Sequence, residues 1–185
     1  ADGHIDPSIQ AIQHRVTYAE PPHLYRNVDG KSFVDETAQM GAAFDTPRVA
    51  RGAAYGDINN DGAPDIVITT NDGAAQLFLN QGATNHALRI KLEGTKSNRD
   101  GIGSVVWVQS ASTNQKQMLR SGSSYLSSSE LLLTFGLGTS TQANVLDVYW
   151  PSGAVTKLSN IMADQILTIR EGSGIVHAEP FHKRS

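Results

Sequence analysis

The chain contains no cysteine, which excludes disulfides, thiolate nucleophiles and zinc-thiolate sites together. It has no basic excess either. Its 15 Lys plus Arg stand against 18 Asp plus Glu, for a net charge of -3, whereas gripping a phosphate backbone requires a basic patch. Nucleic acid is therefore not an expected partner. No apolar run approaches the roughly 18 residues of a membrane span, and helix-period stretches are scarce. The opening ADGHIDPSIQ carries neither an initiator Met nor a signal-peptide pattern, so a processed product or a fragment of a longer chain is expected.

The usual signatures of catalytic chemistry are missing as well. The six histidines (His4, His14, His23, His86, His177, His182) show no H-E-x-x-H spacing. The serine cluster Ser121, Ser123, Ser124, Ser127, Ser128 and Ser129 lacks a G-x-S-x-G elbow and reads as strand edge and turn. Gly136 to Gly138, GLG, lacks the strand, spacing and helix of a dinucleotide site and reads as a tight turn.

What is present is β-structure. With 185 residues and 39% hydrophobic content the chain can bury a core in one large or two small domains. Short β-rich runs bounded by Gly, Asn, Asp, Ser and Pro predict strands over residues 65–70, 76–80, 88–93, 105–109, 131–135, 145–150 and 165–170. In LRIKLE, Leu88, Ile90 and Leu92 alternate with Arg89, Lys91 and Glu93, which predicts one wet face.

HLYRNVDG at 23–30 aligns with QLFLNQGA at 76–83, an internal repeat of hairpin ends that stops near Gly82. From residue 85 onward, longer alternating strands and Ser/Thr/Gly-rich turns predict a second, all-β unit. Its WPSG places Pro151 and Gly153 where a turn needs a preset φ and a positive φ. The last stretch, GSGIVHAEPFHKRS, has little periodicity and is expected to wrap a neighbour or to be mobile. The expected organisation is therefore 1–84, 85–172 and a tail at 173–185.

The one stretch that carries distinctive chemistry is GDINNDGAPD at 56–65. Carboxylates this close repel one another unless a positive charge sits among them or each keeps its own water. Asp57, Asn59, Asp61 and Asp65 fall at loop positions one, three, five and nine, with the Ala63 carbonyl at seven. This is an oxygen-only set suited to calcium, with Gly62 letting the backbone reverse. An EF-hand would need flanking helices and a Glu at position twelve, where Ile68 stands, so the loop joins strands. The competing reading is a metal-free turn rich in Asx side chain to backbone bonds. Asp2, His4 and Asp6, in DGHID, parallel DGAPD and mark a possible second site.

Residues 52–82, GAAYGDINNDGAPDIVITTNDGAAQLFLNQG, resemble an FG-GAP/VCBS repeat, the calcium-binding blade unit of integrin-like β-propellers, and YRNVDGKSFVDETAQMG resembles the end of a preceding repeat. SNRDGIGSVVWV, GSSYLSSSE, FGLG and VYWPSG resemble the ASPIC/UnbV domain, found after such repeats in secreted proteins. The resemblance implies an all-β fold, with partial β-propeller-type repeat units followed by a β-sandwich-like domain. It also implies calcium-stiffened blades, a secreted, extracellular or periplasmic location, and a non-enzymatic role. That role is protein-protein recognition, adhesion or self-assembly through unpaired β edges. A carbohydrate-binding module, or an accessory or hydrolytic domain acting on glycans, is the alternative. In the first, an exposed Trp107 or Trp150 would stack on a sugar; in the second, Asp57 and Asp61 would serve as acid and base.

Overall fold

A computed structural model describes residues 1–81, 85–122 and 124–182. Gly82 and Ala83 at the end of the repeat, Thr84 at the expected boundary, Ser123 of the serine cluster and the last three residues of the tail lie outside the described residues. The fold is all-β, apart from the short helix α1 (Ile9–Ile12) and a 3-10 turn at Thr37–Gln39. Two compact units emerge, and neither is one continuous stretch. The first comprises Ala1–Ala54, Ile66–Phe78 and Ser124–Ser128, and the second Tyr55–Asp65, Leu79–Ser123 and Ser129–Ser185.

The first unit contains the hairpin β1 (Tyr25–Val28) and β2 (Ser32–Asp35). Its reversal is built by Asp29 and Gly30, both at positive φ, with the Asn27 side chain accepting the Gly30 N–H at 2.9 Å. It also contains most of a three-stranded sheet made by β3 (Ala50–Gly56), β4 (Asp65–Thr70) and β5 (Gln76–Phe78). Phe44 packs on Phe78 with ring centroids 4.7 Å apart, and the Arg48 guanidinium lies over the same ring. Both sheets are open, and no closed ring of blades exists among the described residues.

The second unit has two four-stranded sheets. One runs β11-β10-β7-β8, from β7 (Val105–Gln109), β8 (Asn114–Met118), β10 (Gln142–Tyr149) and β11 (Val155–Met162). The other runs β13-β12-β6-β9, from β6 (His86–Glu93), β9 (Leu132–Gly138), β12 (Gln165–Arg170) and β13 (Gly174–Pro180). Alternate residues of both sheets meet in one core that includes Leu88, Ile90, Val106, Val108, Phe135, Leu146 and Ile169. Trp150 joins this core and donates its indole N–H to Thr156 Oγ1 at 2.9 Å. Its turn closes as the sequence predicts, with Gly153 at φ 88° and its N–H bonded to the Trp150 carbonyl.

Three expectations are corrected. Arg89, placed on a wet strand face, is 1% exposed, because residues of the acidic loop and Glu130 cover that side of β6. Residues 174–180, read as an aperiodic tail, form the edge strand β13 paired antiparallel with β12. Nearly all of its side chains are exposed, so backbone pairing holds it and no apolar alternation was there to be read. Gly136 and Leu137 continue β9, with Leu137 in the core, and only Gly138, at φ 58°, begins a turn.

Glu171 locks three turns of this unit together. Its buried carboxylate accepts the backbone N–H groups of Thr95, Lys96 and Ser97, each at 2.8 Å, and the hydroxyls of Ser97 and Ser152. Burial opposes the charged form, but the Ser152 hydroxyl and the three N–H groups outweigh it and hold the pKa at about 2, against an ordinary 4.5. Because the folded value is the lower one, the stabilisation is complete above pH 4.5 and is lost as pH falls toward 2. Acid titration of the melting temperature should show this component in the native chain, whereas Glu171→Gln should melt lower near neutrality and lose less of its stability between those limits.

Candidate functional site

The acidic loop turns between β3 and β4, and its backbone is arranged by its own side chains. Asp57 accepts the N–H of Asp61 at 3.1 Å through one carboxylate oxygen and that of Gly62 at 2.7 Å through the other. Asp61 accepts from Ala63 N–H at 3.0 Å and from the Asn59 amide at 3.0 Å. Asp65 bridges outward, accepting Ile58 N–H and Asn80 N–H, both at 2.9 Å. The structure thus gathers Asp57, Asn59, Asp61, Ala63 and Asp65 into one hydrogen-bonded turn.

Gly62 is required twice. Its φ of 88° suits glycine, and a Cβ there would stand 2.4 Å from the Phe181 ring. Asn60 also takes a positive φ, 56°, which asparagine tolerates better than most residues.

Arg89 and Glu130 belong to this site, and the sequence reading missed both. The Arg89 guanidinium lies 3.1 Å from Asp57, whose side chain is 0% exposed, donates to Asn60 Oδ1 at 3.1 Å, and pairs with Glu130. Asp57 and Glu130 share this one guanidinium, and the buried Glu130 Oε1 has no hydrogen-bond partner among the described residues.

The donor set, three carboxylates with an amide and a main-chain oxygen, is of the ligand type that a hard cation takes. No three acidic or imidazole side chains converge into a ready-made metal cluster among the described residues. In this conformation the carboxylates face backbone N–H groups and Arg89.

An open groove of about 710 Å³ adjoins the loop, lined by residues including Asp61, Pro64, His86, Asp164, Phe181 and His182. His86 Nδ1 is 2.7 Å from Asp164, which also accepts Ala87 N–H, so this pair ties the start of β6 to the turn before β12. In the possible second loop, His4 Nδ1 accepts Asp6 N–H at 3.0 Å and Asp6 holds the N–H and hydroxyl of Ser8, both at 2.8 Å. Those bonds open α1 and do not form a ligand shell. In the serine cluster, Ser127 and Ser129 hydroxyls accept backbone N–H groups of Ala53 and Tyr55, at 2.9 and 3.2 Å, which is a strand-edge role.

Residues 94–176 match the family model described as ASPIC and UnbV, so the second half of the chain contains an ASPIC/UnbV domain. The matched residues start beyond the acidic loop. No curated protein matches this chain.

Removing the guanidinium leaves Asp57 and Glu130 facing each other without a counter-charge. Arg89→Ala should destabilise the fold by about 3–5 kcal/mol, read as a lowered urea midpoint. Arg89→Lys, which keeps the charge and loses the fork, should fall between.

Proposed function

We propose that the chain is a non-enzymatic recognition module of a secreted or surface-exposed protein. In it the ASPIC/UnbV domain accompanies blade-type repeat units, and open sheet edges receive a protein partner or a second copy of the chain. The observation that carries this reading is the β1-β2 hairpin, exposed on both faces, with Phe33 at 70% exposure beside exposed Tyr25 and Val34. A two-stranded hairpin is marginal in water by itself, and exposed strands with apolar side chains are templates for pairing. Leu77 and Leu79, exposed at and just beyond β5, extend the same argument to a second edge.

Calcium is the cation we assign to the acidic loop. Asp57, Asn59, Asp61, the Ala63 carbonyl and Asp65 would hold it, an oxygen-only set at the spacing that suits this cation. The hydrolytic alternative is disfavoured, because Asp57 is sealed from solvent against Arg89 and has no path to a glycosidic oxygen.

Two measurements test these assignments separately. A thermal melt in excess EDTA and then in millimolar calcium should show a calcium-dependent rise, because a ligand of the folded state stabilises it. Asp61→Ala should abolish the increment, and metal analysis showing no bound calcium with no rise would remove the cation from the reading. Sedimentation velocity over a wide concentration range should show self-association, or capture of a protein partner, weakened by Phe33→Lys. A chain that stays monomeric and partner-free, unchanged by Phe33→Lys, would sink the edge-recognition reading.

A further inference from the structure

The outward face of the β11-β10-β7-β8 sheet presents an ordered row. Cross-strand register sets Lys116 of β8 opposite Trp107 of β7, Trp107 opposite Asp147 of β10, and Asp147 opposite Lys157 of β11. Leu146 and Val148, which flank Asp147, point into the core, so Asp147 points to the same outward face as the half-buried Trp107. The next row places the exposed Tyr149 beside it. Trp107, Asn114, Lys116 and Tyr149 line a concavity of about 400 Å³. The indole is fixed in place by its N–H, which donates to Asn114 Oδ1 at 2.5 Å.

Asp147 is the unexplained residue. It is 5% exposed, and its only hydrogen bond among the described residues is a long one, 3.5 Å, from the Tyr149 hydroxyl. No ion pair joins it to a cation, and neither Lys116 nor Lys157 takes part in any ion pair among the described residues. A carboxylate oxygen accepts two or more hydrogen bonds, and neither oxygen of Asp147 is among the buried atoms that the described residues leave without a partner, so this carboxylate keeps acceptor capacity open to a ligand. The site therefore combines an apolar ring, an under-used acceptor to one side of it, and an unpaired cation to the other.

We propose that this face binds an acidic glycan, through a pyranose unit bearing a carboxylate, such as a uronic acid. Neighbouring strands lie about 4.8 Å apart, close to the width of a sugar ring. A pyranose lying on Trp107 therefore reaches Asp147 at one edge and Lys116 at the other. In a hexuronic acid the hydroxyls on C2 and C3 stand across the ring from the carboxylate on C5. The hydroxyls donate to Asp147 while the carboxylate pairs with Lys116, and the apolar C–H face covers the indole. Charge complementarity selects the occupant: a neutral sugar leaves Lys116 unused, and an acidic peptide offers Asp147 no vicinal hydroxyls. This site does not rest on the acidic loop or on the open edges.

Affinity electrophoresis of the full chain in gels containing polygalacturonate or neutral hydroxyethylcellulose, with EDTA present throughout, tests the assignment independently of calcium. Retardation is expected in polygalacturonate only, and added salt should weaken it. Asp147→Asn, Lys116→Gln and Trp107→Ala should each raise the dissociation constant about tenfold or more. Thermal melts verify folding, and the near-isosteric Asp147→Asn and the surface change Lys116→Gln keep the test decisive if Trp107→Ala fails to fold. Absence of retardation, equal retardation by the neutral polymer, or retardation unchanged in both Asp147→Asn and Lys116→Gln would overturn the proposal.

Discussion

The loop geometry rests on a single guanidinium withdrawn from water. Desolvation makes a buried cation unfavourable unless anions surround it, and buried carboxylates are equally unfavourable without a cation. Arg89 answers both demands at once. It leaves the strand face that its neighbours would keep wet, takes Asp57 and Asn60 from the loop, and takes Glu130 from the segment ahead of β9. Because Arg89 sits on β6 between core residues Leu88 and Ile90, that network is bolted directly to the sandwich core. A carboxylate-rich loop is thereby given one fixed positive charge.

Electrostatics of the same kind recur at Glu171, with the roles reversed. There an anion is buried, and backbone N–H groups with hydroxyls supply the compensation, holding turns of the unit on one side chain. Asp147 is also a buried acid, and its one hydrogen bond among the described residues is the long one from the Tyr149 hydroxyl. Set beside Glu171, whose carboxylate accepts five hydrogen bonds, Asp147 retains acceptor capacity that the fold does not use.

How much of this was legible depended on where side chains point. Strands 65–70, 105–109 and 165–170 appear with the predicted bounds, because each is a short run of β-branched and other apolar residues, and such a run is legible from residue type alone. β8 and β13 went unseen for the opposite reason. They are outer strands held by backbone pairing, with mostly polar or exposed side chains, and backbone hydrogen bonds leave no trace in residue type. The spacing of Asp57, Asn59, Asp61 and Asp65 was readable because one short loop contains it. Arg89 and Glu130 reach the same place from far along the chain, and an arginine between two aliphatic residues of a strand reads as solvent-facing until something covers it.

The other consequential feature is the parallel pairing of β6 with β12. The hairpins β7-β8 and β10-β11 form from neighbouring segments, but β12 lies between β6 and β13 and comes from the opposite end of the unit. Loop closure over such a separation comes late and slows folding. During synthesis the sheet stays incomplete, with the edge of β6 open, until the chain has been made past Arg170. The domain is therefore finished from its C-terminal end, and its most aggregation-prone moment is the interval before that central strand arrives.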